Sequence, residues 1–259
     1  MPAISSAALK IVVVVGAGPG TGFAIAKRFA QAGHPVALIS RSKTRLEELA
    51  SDINQLQQGK AVAYGADVSQ KDSIDAAFGQ IDRDFGGKAR VWGAVFNPAA
   101  ISRAPFLETT AEQLEEQWQV MTKGGFLFAQ AYLRTLTAHA DWAKSREGDE
   151  PAGFLAVTGA TASLKGSANF SAFASAKAGL RNITQSIARE YASQGVHVFH
   201  TIVDGMIDGE RARSYMGSDF VPNSRFKPED IAEAYYSVAT QRKSCWTHEL
   251  DMRPYSETW

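Results

Sequence analysis

Short apolar runs alternate with amphipathic stretches along almost the whole chain. The first run, residues 10–16 (KIVVVVG), is dense in β-branched residues and predicts a strand buried on both faces. Helical spacing of apolar positions follows over 20–32 and stops at Gly33, a residue suited to a helix end. The pattern continues with a strand at 36–40 and a helix at 44–57 that places Leu46, Leu49, Ile53 and Leu56 on one face. Next come a strand at 61–64 and a helix running to 85, with Ser69 as its expected cap. A strand at 91–96 precedes one long helix over 110–139, signalled by Thr110 and Gln113. Residues 140–152 are polar and read as a surface loop. A strand at 154–158, a long helix at 170–193 and a strand at 196–203 follow. Residues 205–227 are irregular, and the chain closes with a helix at 228–241 and a strand at 244–250.

Strands alternating with helices, without repeat or linker, demand a parallel sheet covered on both faces. The expected architecture is one doubly wound α/β domain with its ligand crevice at the carboxyl ends of the strands. The first strand opens directly into Gly16, Gly18, Pro19, Gly20, Thr21 and Gly22, and then into a helix. Strand, glycine turn and helix form a site for a dinucleotide phosphate. Glycine lets the backbone approach the pyrophosphate, and the helix start presents free N–H groups and a positive dipole end. The 205–227 stretch is the natural substrate lid.

Composition narrows the classes. The chain has 259 residues, 45% of them apolar, and 27 basic side chains balance 27 acidic ones. That balance gives no bulk attraction to nucleic acid or an anionic membrane. A single cysteine, Cys245, excludes an internal disulfide framework and fits a reducing compartment. No apolar run reaches spanning length, and residues 1–10 lack a signal-peptide core. A cytoplasmic protein is expected. The histidines show no ligand-like pairing with each other or with Cys245, so no metal is expected.

The sequence resembles the short-chain dehydrogenase/reductase family over nearly its whole length. The matching stretches are VGAGPGTG at 15–22, Asp67–Val68, FNPAA at 96–100, KGGF at 123–126, FASAK at 173–177 and Asp204–Gly205. The resemblance implies a single-domain Rossmann fold with a seven-stranded parallel sheet. It also implies a nicotinamide cofactor, hydride exchange with a small carbonyl or alcohol, and a homodimer or homotetramer built on the two long central helices. Asp67 and Val68 take the family's place against the adenine, and Asn97 and Ala99 lie beneath the nicotinamide-side ribose. Gly205 and Ile207 complete the expected cofactor contacts. Pro98 stands where the family usually has a second asparagine, which removes a backbone donor. At the end of the second strand, a carboxylate would bind the ribose hydroxyls and repel a 2′-phosphate. This chain has Ser40, Arg41 and Lys43 there, which favours NADP(H) over NAD(H).

The family's catalytic asparagine, serine, tyrosine and lysine map onto Met121, Ala160, Phe173 and Lys177. Only the lysine survives. General acid catalysis contributes about 10²–10⁴-fold and an oxyanion donor about 10²–10³-fold, so hydride transfer by the usual route is expected to be very slow. Asp204 replaces a usual proline after the sixth strand. It reads either as a substitute proton donor or as an Asx-type turn. Thr161, Ser163, Asp208 and Tyr215 are other proton carriers along the same edge. His200, inside the sixth strand, reads as a packed core histidine. Met206, Ile207, Tyr215, Met216 and Phe220 give the lid an apolar stripe. Three readings stand open: an atypical NADP(H)-dependent oxidoreductase, a cofactor-binding isomerase or cyclase, and a non-catalytic NADP(H)-binding protein.

Overall fold

The computed structural model describes residues 9–56, 59–85, 89–209, 212–214 and 219–258. In chain order the elements are β1 (Leu9–Val15), α1 (Thr21–Gln31), β2 (Val36–Ser40), α2 (Lys43–Asn54), β3 (Ala61–Gly65), α3 (Lys71–Asp84) and β4 (Ala89–Phe96). They continue with α4 (Ala111–Trp118), α5 (Gly124–Ala138), α6 (Trp142–Ser145), β5 (Gly153–Thr158), α7 (Ser171–Tyr191), β6 (Val196–Val203), α8 (Pro228–Ala239) and β7 (Glu249–Met252). All seven strands pair in parallel, in the order β3-β2-β1-β4-β5-β6-β7.

Strand alternation explains the two layers. Ile11, Val13 and Val15 face a cluster containing Phe78, Phe128 and Tyr132. Val12 and Val14 face the opposite cluster of Phe29, Phe154 and Tyr235. Because helices cover both faces, β1 has no polar face, which is why it reads as an unbroken apolar run. The sheet grows outward from β1 to β3 and then restarts at β4 on the other side of β1. Neighbouring connections therefore part company beyond the ends of β1 and β4 and leave a crevice there.

Most elements lie within a few residues of their predicted bounds; several details differ. Ser69 is not a helix cap. α3 starts later, behind Gln70, and Ser69 instead donates its N–H (2.9 Å) and hydroxyl (2.8 Å) to Asp67 Oδ1 in a tight turn. The single helix expected over 110–139 is two helices joined by a π-helical turn, Gln119–Lys123. Its start does carry the reciprocal Thr110–Gln113 capping box. The wider turn re-aims the chain, and Gly124 and Gly125 then meet their neighbours closely: a Cβ would lie 3.1 Å from Val68 at the first and 2.4 Å from Leu180 at the second. The loop at 140–152 contains the short helix α6. The last strand begins at Glu249 rather than 244, because Gln241 satisfies Thr247 through its side chain (2.7 and 2.9 Å) and holds that stretch off the ladder. The predicted end of the second helix, at Gln57, lies outside the described residues.

Candidate active site

The glycine turn connects β1 to α1. Gly16 and Gly20 have φ of +76° and +117°, backbone that side chains rarely adopt. A Cβ at Gly16 would lie 2.7 Å from the Pro98 nitrogen, and one at Gly22 would lie 2.3 Å from the Gly16 carbonyl oxygen. These two glycines are required by the protein's own backbone. Gly18 and Gly20 differ, since a Cβ at either would meet nothing within 4 Å. They face open ground beside the first turn of α1, which Thr21 begins and where no side chain caps the helix and no acidic residue stands. A pyrophosphate fits a turn bare of side chains and a helix end that lacks a competing carboxylate.

At the end of β2, Ser40 turns its hydroxyl to the Ser42 carbonyl (3.3 Å), and Arg41 is exposed. Lys43 is turned toward Glu47 (3.8 Å). After β3, Asp67 organises its own turn, while Val68 is buried against the Gly124 backbone.

Hydrogen bonds run across the strand ends from the turn to the lysine. Asn97 donates through Nδ2 to the Gly16 carbonyl (3.1 Å) and accepts from the Thr158 hydroxyl at Oδ1 (2.9 Å). Thr158 Oγ1 also meets the buried Tyr235 hydroxyl (2.8 Å), and its carbonyl accepts from Lys177 Nζ (2.7 Å). Ala99, just beyond Asn97, is exposed. Lys177 is 2% exposed, and burial pulls its ammonium down to about 8. Its Nζ lies 5.9 Å from the Phe173 ring. Met121 is fully buried within the π-helical turn, and Ala160 leads the turn after β5, where its N–H donates to Ser163 Oγ (3.2 Å).

The β6 end carries different chemistry. Asp204 is buried; its Oδ1 accepts from the Thr161 hydroxyl and its Oδ2 lies 3.4 Å from Arg253 Nη1. Arg253 also donates to Asp251 (2.6 Å), and the Asp204 N–H bonds the Met252 carbonyl (2.9 Å). Gly205 has φ +145°, and a Cβ there would strike Pro254 at 2.6 Å. Ile207 pairs with Phe226 across an isolated bridge, and Asp208 accepts two bonds from Arg213 (3.0 and 2.8 Å), so the described part of the 205–227 stretch is tied down at both ends. Tyr215 and Met216 lie outside the described residues. A cavity of about 750 Å³ opens between this stretch and the β5 turn, with Asp204, Met206 and Phe220 among its walls.

His200 is a core side chain, as expected. It lies under Gly159, where a Cβ would meet its Nε2 at 2.2 Å, and its Nδ1 is 3.5 Å from Glu249. Burial outweighs the pull of Glu249 and holds the ring neutral, down to about 4. No group of three metal-binding side chains occurs among the described residues, and no described helix is long and apolar enough to cross a membrane.

The structure thus brings the glycine turn, Asn97 and Lys177 together, and places Asp204 and Gly205 at the neighbouring cavity. Sequence reasoning missed Thr158, Tyr235, Arg253 and Glu257, the last a further wall of the cavity at Asp204. Thr158 had a legible signal, since it is the last residue of a strand whose carboxyl end faces the crevice. The other three arrive from distant helix and terminal segments.

A glycine-turn crevice at the switch point of a parallel sheet, with a buried lysine across it, defines a nucleotide-binding α/β protein. The family profile described as short chain dehydrogenase matches residues 10–216. An uncharacterized oxidoreductase of Staphylococcus epidermidis is 31% identical over 250 residues, covering 95% of this chain and 97% of that protein. A short-chain dehydrogenase from Rhodopseudomonas palustris is 32% identical, with a TM-score of 0.76 over 95% of this chain and 99% of that one. A metagenomic short-chain oxidoreductase solved in complex with NADP shares the fold, at 23% identity and a TM-score of 0.75, covering 96% of this chain and 99% of that one. This chain belongs to the short-chain dehydrogenase family.

Proposed function

We propose that this protein is an atypical NADP(H)-dependent oxidoreductase acting on a small carbonyl or alcohol substrate, with Met121, Ala160 and Phe173 standing where the family usually carries asparagine, serine and tyrosine. The carrying observation is the hydrogen-bonded path from Gly16 through Asn97 and Thr158 to Lys177, beside a glycine turn left open at Gly18 and Gly20. Gly18, Pro19, Gly20 and the start of α1 hold the pyrophosphate. Arg41 meets the 2′-phosphate, a reading supported by the NADP bound to the metagenomic relative. Val68 and Asp67 lie at the adenine, Asn97, Ala99 and Lys177 at the nicotinamide-side ribose, and Gly205 and Ile207 close over that end. When bound, the cofactor supplies or accepts a hydride.

Proton supply at the substrate falls to Asp204 and Thr161, because Phe173, Ala160 and Met121 have no side-chain N–H or O–H to give. A second copy of the chain is the proposed partner, seated on the groove of about 520 Å³ between α5 and α7 where Phe126, Leu133, Ile183 and Ile187 gather. Calorimetry with NADPH and NADH tests the reading. NADPH is expected to bind more tightly, and no heat with either nucleotide overturns it.

A further inference from the structure

Resting on that reading, we propose that Tyr235 and Thr158 are positioning residues for the cofactor: their hydroxyls, bonded in series, hold the Asn97 amide in one orientation and, through it, the Gly16 peptide that opens the glycine turn. Counting hydrogens fixes the direction of the series. The Gly16 carbonyl can only accept, so the Asn97 atom against it at 3.1 Å is Nδ2, and Oδ1 faces Thr158. Oδ1 also can only accept, so Thr158 gives it the one hydrogen of its hydroxyl (2.9 Å). The Tyr235 hydroxyl, 2.8 Å from Thr158 Oγ1, is then the donor of that pair. Donation runs one way, from Tyr235 to Thr158 to Asn97 to Gly16. Turning the amide over would set oxygen against oxygen at Gly16 and leave the Thr158 hydrogen without its acceptor. Both hydroxyl residues are buried, Tyr235 completely, and successive bonds shielded from water strengthen one another.

The turn depends on this support. Gly16 is held at its N–H by the Ile39 carbonyl (2.9 Å) and at its own carbonyl by Asn97. The Gly16 carbonyl and the Ala17 N–H share one rigid peptide plane, so fixing the first fixes the second and sets the path toward Gly18. The residue after Asn97 gives no backbone help, because Pro98 has no N–H. With Oδ1 and one Nδ2 hydrogen committed, the second Nδ2 hydrogen is the group that Asn97 offers to the ribose.

The helix that carries Tyr235 is itself tied to the cofactor side. Glu233 of α8 takes the Arg28 guanidinium of α1, and the Tyr236 ring lies 3.6 Å from that guanidinium. α8 therefore braces both flanks of the turn, α1 through Arg28 and the end of β1 through Tyr235.

The test sets Tyr235→Phe against Tyr132→Phe. Tyr132 is also fully buried, and its hydroxyl donates to the Trp92 carbonyl (2.8 Å) in the amino half of β4, so each variant loses one buried hydroxyl bond. Calorimetry first establishes NADPH association with the unaltered protein, and urea titrations rank the stability of each variant. Tyr235→Phe is expected to weaken NADPH about three- to tenfold, Thr158→Val about tenfold, and Tyr132→Phe less than about twofold at a similar loss of stability. In the Thr158→Val background, adding Tyr235→Phe is expected to weaken NADPH no further, because the series is already open. A tyrosine that only supports the fold predicts the opposite: equal effects of the two tyrosine variants and losses that multiply. If NADPH binds and either of those results is found, or Tyr235→Phe binds it as tightly as the unaltered protein, the inference fails while the cofactor reading stands. Should Tyr235→Phe not fold, Thr158→Ser is expected to keep the affinity that Thr158→Val loses, and equal affinity of those two overturns the inference. If NADPH does not bind the unaltered protein, both fall.

Discussion

The two halves of the crevice are built on different principles. On the β1 side the groups fix one another: Gly16 is held close to Pro98, Asn97 is held by Gly16 and Thr158, and Lys177 by the Thr158 carbonyl. On the β6 side the charges at Asp204 and Arg253 satisfy one another, and the Thr161 hydroxyl donates to Asp204. One half is a connected set of hydrogen bonds around the glycine turn, and the other carries no hydroxyl at 160 or 173, where the proposed function reads the family's serine and tyrosine.

The sharpest way to break that contrast is to restore the hydroxyls. A Phe173→Tyr, Ala160→Ser double variant is expected to raise the reduction of neutral carbonyl compounds by about 10²–10⁴-fold, measured as single-turnover NADPH oxidation. No gain indicates that Met121 or the lid also blocks the reaction.

The glycines of the cofactor half divide into two kinds, and substitution separates them. Gly22→Ala forces a Cβ onto the Gly16 carbonyl and is expected to cost about 3 kcal/mol or more of folding stability in urea titrations. Gly18→Ala meets nothing within the protein, so stability is expected to hold while NADPH affinity falls in calorimetry. Equal losses of stability would show that the turn serves only the fold.

Along β6, His200 and His197 stay neutral by burial, each held down to about 4. His200 faces Glu249 on β7 and Lys177 and Arg181 on α7. The unfolded chain takes up these protons near pH 6.5 and the native protein does not, so stability falls as pH drops from about 6.5 toward 4. The expected loss is up to about 3 kcal/mol per histidine, read from denaturation midpoints across that range. His200→Leu is expected to remove about half of the slope.

The smallest expected effect tests cofactor choice. Arg41 is exposed, and Arg41→Ala is expected to weaken NADPH about tenfold while leaving NADH unchanged. Parallel weakening of both would assign Arg41 to general electrostatics.

The sequence by itself determined the order of elements and the glycine turn after β1, because both are local. Valine runs, helical spacing and a cluster of glycines are written within a few residues of one another, and β2 and β6 lie where the apolar pattern put them. It also puts alanine at 160 and phenylalanine at 173, within the short stretches on which the proposed function rests. The tertiary structure alone decided the partners. Thr158 to Tyr235, Thr161 to Asp204 and Asp204 to Arg253 join segments far apart in the chain. The break in the helix after Trp118 and the late start of β7 were likewise set by packing and by a glutamine side chain. Hydrogen bonding and desolvation act over a few ångströms in space, and spacing along the chain does not encode which distant atoms arrive within that range.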